Sequence, residues 1–117
     1  MKNIKIFSVI CFIAITTLFV QACSKSDAAI APGAHSVSIQ AMAYSPATLT
    51  VVVGDQITWT NSDNQIHTVT SDDGTSFSSG NISPAGTFTT TINATGSYAY
   101  HCAAHPGMTG VVQVVIR

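Results

Sequence analysis

The chain is short of charge and has no concentration of positive charge. Only 8% of its 117 residues are charged, and its four basic side chains are Lys2, Lys5, Lys25 and Arg117. Without a basic patch there is nothing to neutralise a phosphate backbone, which argues against nucleic acid as a partner. No segment carries an apolar stripe at helical spacing long enough to stand alone, which argues against a helical bundle. There is no internal repeat, and no C-x-x-C-H segment that would attach a haem. Cysteine is also scarce, with three in all.

The first 22 residues account for one of those cysteines. Lys2 and Lys5 form a short positive head, and Ile6 to Val20 is almost wholly apolar before "VQAC". This order is that of a secretory signal, which belongs to export and not to the fold. The run is too short, and too closely followed by "SKSD", to make a comfortable membrane span. "VQAC" resembles the bacterial lipoprotein box, in which the cysteine becomes the lipidated first residue of the mature chain. Cys11 then leaves with the signal and Cys23 carries lipid. Cys102 is left without a disulfide partner in an oxidising compartment, and metal ligation is a reason to keep such a thiol. Residues 23–34 are expected to form the lipidated cysteine and a flexible tether, and residues 35–117 the folded domain. The mature chain sets Lys25 and Arg117 against Asp27, Asp55, Asp63, Asp72 and Asp73, a weakly acidic balance suited to small or mildly basic partners.

From His35 onward the hydrophobic period is two. Val37, Ile39 and Ala41 share a face, as do Leu49, Val51 and Val53, then Ile57 and Trp59, and His67 and Val69. Phe88 and Ile92, Tyr98 and Tyr100, and Val112, Val114 and Ile116 complete seven runs. Gly, Pro, Asn and Asp clusters separate them. Seven short strands rich in Thr and Val predict an all-β domain, an antiparallel β-sandwich, with an open barrel as the competing architecture.

Alternation also says which side chains can meet. In "GSYAYHC", Tyr98, Tyr100 and Cys102 face inward, so His101 points away and is a poor ligand candidate. In "IHTVT", His67 and Val69 face inward, and a histidine on an apolar face needs a polar partner or a metal. The Pro106-Gly107 pair predicts a turn, with Gly107 able to take positive φ, that brings Cys102, His105 and Met108 together. His67 must arrive through tertiary structure. Two imidazoles, a thiolate and a thioether are the ligand set of a blue-copper site, and the soft thioether disfavours zinc. No oxyanion hole or orienting third group supports a cysteine nucleophile.

The segments "YSPATLTVVVGDQITWTN", "HTVTSDDG" and "YHCAAHPGMTGVVQV" together resemble a cupredoxin of the plastocyanin, amicyanin and pseudoazurin group, over about Ser36 to Ile116. The C-x2-H-x2-M spacing is similar to the short ligand loop of amicyanin. The resemblance implies an eight-stranded Greek-key sandwich, with the eighth strand expected near "TSFSSGNI". It implies His67, Cys102, His105 and Met108 as ligands to one copper ion, and a backbone N–H of Thr68 donating to the Cys102 sulfur, with Ala104 as a possible second donor. The implied function is one-electron carriage by Cu(II)/Cu(I) cycling, not enzymatic catalysis, with a copper carrier or store as the rival. Redox partners would touch transiently around His105, and an exported, anchored monomer is expected. Trp59 and Phe88 read as core, His35 as a surface residue and Asp72-Asp73-Gly74 as a turn. Asn61 is either a tie between the two ligand loops or a simple turn residue.

Overall fold

A computed structural model describes residues 31–117. The signal segment, Cys23 and residues 24–30 of the tether lie outside the described residues. Eight strands follow in chain order: β1 (Ala34–Gln40), β2 (Ala43–Ser45), β3 (Thr48–Val52), β4 (Gln56–Asn61), β5 (Thr70–Ser71), β6 (Thr87–Thr91), β7 (Gly96–His101) and β8 (Thr109–Val115). They form two four-stranded sheets, β2-β1-β4-β6 and β3-β8-β7-β5. The architecture is therefore a sandwich and not a barrel. Every connection from β2 to β7 crosses from one sheet to the other. Two pairings, β1 with β4 and β3 with β8, are parallel, so the sheets are mixed, where alternation had suggested antiparallel pairing throughout. Hydrophobic period cannot separate the two, because side chains alternate identically in both.

The inward faces are those expected. Val37, Ile39, Ile57 and Trp59 from one sheet meet Val51, Tyr100, Val112 and Val114 from the other in a single core. Trp59 on β4 donates through Nε1 to the Tyr100 hydroxyl on β7 at 3.1 Å, which ties the sheets across the interior. Two ends of runs differ. Ala41 leaves β1 for a turn with φ 55°, and Ile116 lies beyond β8 and is 74% exposed. The eighth strand is β2, a three-residue strand too short to show a period. Residues 75–82 instead add isolated bridges, Thr70 to Ser78 and His67 to Ile82, and bury Phe77 and Ile82.

β4 sets the long axis. Asp55 precedes its first residue and the loop that carries His67 follows its last, so the two lie at opposite ends, about 20 Å apart at the usual rise of a strand. Asp55 is 3% exposed. Its carboxylate accepts from Gly33 N at 2.7 Å and Val52 N at 3.0 Å, and lies 2.8 Å from His35 Nε2. His35 is thus a hydrogen-bond partner of a buried aspartate, beyond the plain surface residue expected. The Val52 N–H, then His35 and the Gly33 N–H, hold the Asp55 carboxyl down at about 2. An unfolded aspartate titrates near 3.9. The folded value is the lower, so the group stabilises fully above about pH 4, and that stabilisation is lost as pH falls through about 2. Asp63 and Asp73 are shifted in the same direction. Thermal melts should show stability declining across this acid window, with a shallower decline in Asp55→Asn.

Candidate metal centre

The first half of the site hangs from the end of β4. After Asn61 the chain loops to His67, whose backbone pairs with Ile82 through bonds of 3.2 and 2.8 Å. This bridge turns the His67 ring into the interior, where it is fully buried. Thr68 follows and performs three jobs. Its N–H donates to Cys102 Sγ at 3.3 Å, its carbonyl accepts from the Tyr44 hydroxyl, and its Oγ1 accepts from Ala103 N at 2.7 Å. Thr68 therefore clasps the second half of the site. Asn61 does not. Its amide donates to the carbonyls of Gln65 and Ile82 at 2.7 and 2.9 Å, so it organises the His67 loop alone.

The second half is the connection between β7 and β8. Cys102 continues the inward face of β7 and is 0% exposed. The Cys102 carbonyl accepts from His105 N at 3.2 Å, and the His105 carbonyl accepts from Met108 N at 2.8 Å. Cys102 N donates to the Met108 carbonyl at 3.1 Å and closes the loop at its neck. Two successive tight turns thus fold six residues back, with Pro106-Gly107 at the tip of the second. Gly107 is not among the glycines at positive φ, so the turn runs without the left-handed conformation expected of it. Met108 is buried where the loop rejoins β8, and His105 is half-buried. His101 turns to the other face and its Nδ1 lies 2.6 Å from Asp72 Oδ1.

His67, Cys102 and His105 converge. One donor atom from each lies within 4.8 Å of the others, with Cys102 Sγ 3.8 Å from His67 Nδ1 and 3.6 Å from His105 Nδ1. Metal bonds of about 2.0–2.3 Å to nitrogen and sulfur, opened by about 110–120°, separate such donors by about 3.5–3.7 Å. The residues fit a metal ion as they stand. Burial pushes the Cys102 thiol up, but the Thr68 N–H, both imidazoles and the Ala104 N–H outweigh it and bring the group down to about 6. The lowering favours the thiolate, the form that ligates. Of the two N–H donors that the family resemblance implied for the sulfur, Thr68 makes a hydrogen bond to it at 3.3 Å, whereas the Ala104 N–H acts as the smallest of the influences that lower the thiol.

Sequence reasoning missed Asp63. Its Oδ2 lies 2.8 Å from His67 Nε2, on the side of the ring away from the sulfur. An aspartate four residues before an inward histidine was the one available signal, and in an irregular loop such spacing carries no geometry.

The fold and the site define a small β-sandwich in which one buried cysteine and two histidines are spaced as they would be to hold a metal ion. The family model for the cupredoxin-like domain matches residues 10–114. The chain belongs to the cupredoxin family. Amicyanin from Paracoccus denitrificans is 35% identical over 97 residues, covering 74% of this chain and 70% of the relative. Among solved structures, a purple cupredoxin from Nitrosopumilus maritimus superposes with a TM-score of 0.63 at 30% identity, covering 69% of this chain and 99% of that one. The Cu(I) form of an amicyanin variant superposes with a TM-score of 0.66 at 32% identity, covering 74% and 86%.

Proposed function

We propose that His67, Cys102, His105 and Met108 hold one copper ion and that the protein carries single electrons outside the cytoplasm. The observation that carries this reading is the convergence of Cys102 Sγ with the two Nδ1 atoms at 3.6 and 3.8 Å, the spacing of donors around a single metal ion. Copper bound there supplies a reversible one-electron couple, since thiolate and thioether suit Cu(I) and imidazole suits both states. The chain's own contribution is rigidity. The His67–Ile82 bridge, the Thr68 clasp and the closed 102–108 loop keep the donors in place, so little rearrangement accompanies an electron's passage. His105 is the half-buried member and offers the shortest way in. Ala104, Pro106 and Gly107 are exposed beside it and form a small uncharged face for brief contact with redox partners. Burial of both Cys102 and His67 favours carriage over copper delivery, which needs ready release.

One spectrum tests the assignment. Cu(II) added to the purified domain should raise an intense visible thiolate-to-copper band, and His101→Ala should leave it nearly unchanged. A colourless protein, or loss of the band in His101→Ala, would sink the reading.

The proposal extends to an exported monomer held to a membrane through lipid on Cys23, with a tether from residue 24 that ends before Gly33 and Ala34, which are built into the sandwich. Cys23→Ser should move the protein from the membrane to the soluble exported fraction. Soluble wild-type protein with an unmodified N-terminus would refute the anchor.

A further inference from the structure

The Asp63 carboxylate collects three donors from two parts of the chain. Besides His67 Nε2 at 2.8 Å, it accepts from Ala41 N at 3.0 Å and Met42 N at 3.1 Å. Ala41 and Met42 form the turn between β1 and β2, and both sit in the left-handed region, at φ 55° and 60°. Neither is glycine or asparagine, and such residues persist in this region only where their surroundings hold them there. Two successive left-handed residues aim their N–H groups the same way, which makes a small anion-binding concavity. Asp63 fills it. From the other side, Asp63 N donates to Asn61 Oδ1 at 2.9 Å, and the Asn61 amide is itself fixed by Gln65 and Ile82. Both Asp63 oxygens already accept from backbone N–H groups, so the carboxylate faces the ring as an acceptor and His67 Nε2 is the donor of their hydrogen bond.

We propose that Asp63, clamped by the strained Ala41-Met42 turn, is a positioning residue that fixes the tautomer and plane of His67 so that its Nδ1 lone pair faces the metal position before any metal arrives. The proposal rests on the copper-site reading for its consequence but not for its geometry. The rival tautomer would put a proton on Nδ1, 3.8 Å from the Cys102 sulfur, where the metal must enter. A ligating histidine that gives its other N–H to a carboxylate is also a stronger donor, and loss of such a partner typically costs about 10–100-fold in metal affinity. The carboxylate's negative charge favours the more highly charged Cu(II) over Cu(I). Its removal should therefore weaken Cu(II) more than Cu(I).

The test has two arms. Nitrogen-15 NMR of the metal-free wild type should show neutral His67 protonated at Nε2, whereas Asp63→Asn and Asp63→Ala should admit the Nδ1-protonated form. Titration of both variants with Cu(II) and Cu(I) should show Cu(II) affinity falling about 10–100-fold and Cu(I) affinity falling less. Wild-type His67 protonated at Nδ1 overturns the proposal without recourse to any variant. So does an unchanged tautomer with an unchanged ratio of Cu(II) to Cu(I) affinity in both variants. The NMR arm uses no metal, so a wild type that fails to turn blue would defeat the copper reading and leave this result standing separately.

Discussion

Cys102→Ser is expected to abolish the visible band completely while leaving a folded sandwich. The band requires a sulfur orbital at the metal, and Cys102 is the free cysteine among the described residues. Serine nearly matches cysteine in shape, and its oxygen would still accept the Thr68 N–H that now reaches the sulfur at 3.3 Å. The imidazole Nδ1 atoms, now 3.6 and 3.8 Å from the sulfur, would have to move inward to pair with the shorter serine hydroxyl, which is the source of a modest expected loss. The loop neck is closed by backbone atoms, from Cys102 N to the Met108 carbonyl, and does not depend on the side chain. A stability loss near 1 kcal/mol, roughly the centre of measured point-mutant effects, is the expectation. The measurements are a Cu(II) absorbance titration and a thermal melt of the metal-free protein. A variant that stays blue would remove Cys102 from the site, and one that fails to fold would make the residue structural first.

Gly110→Ala should produce the largest stability change of any glycine-to-alanine substitution among the described residues. Gly110 on β8 lies opposite Tyr100 on β7 in the antiparallel register. A Cβ built there would stand 2.4 Å from Tyr100 Cζ, 2.5 Å from its hydroxyl oxygen and 2.8 Å from Cε1. The ring has nowhere to go. It is held by the 3.1 Å bond from Trp59 Nε1 and packs edge-on against Tyr44 and Trp59, with ring centroids 4.7 and 5.7 Å away. Displacing it would also leave the buried Trp59 N–H without a partner. Overpacking of this kind costs about 3 kcal/mol. In a domain of this size that corresponds to a fall of about 10–20 °C in Tm. Tyr100→Leu in the same chain should recover part of the loss, because it makes room for the methyl. Gly110→Ala melting within about 2 °C of wild type would mean that the aromatic cluster yields, contrary to close core packing.

Parts of the site were legible before any coordinates because they are local. Cys102, His105 and Met108 are joined by one short loop, and the alternation of β7 alone decides that Cys102 faces in and His101 out. The same alternation placed His67 and Val69 on an inward face. Local pattern failed where no pattern existed. β2 has three residues, too few to display a period, and it was absent from the expected strands. Phe77 and Ile82 are buried from an irregular segment whose sequence alternates nothing.

The sequence by itself determined which residues turn inward along each strand, because the two-residue repeat of an extended chain needs no partner strand to operate. It also determined the chemistry of the 102–108 loop, because a few residues bounded by Pro-Gly have few ways to close. Only the tertiary structure decided that β1 and β3 pair in parallel with β4 and β8, since a strand's side chains alternate alike against either kind of neighbour. Only it brought His67 within 3.8 Å of a sulfur thirty-five residues away, and set Asp63 and the Ala41-Met42 turn behind the ring. Those contacts join segments far apart in the chain. Their geometry is set by the closure of two sheets over one core, a constraint that no stretch of sequence carries alone.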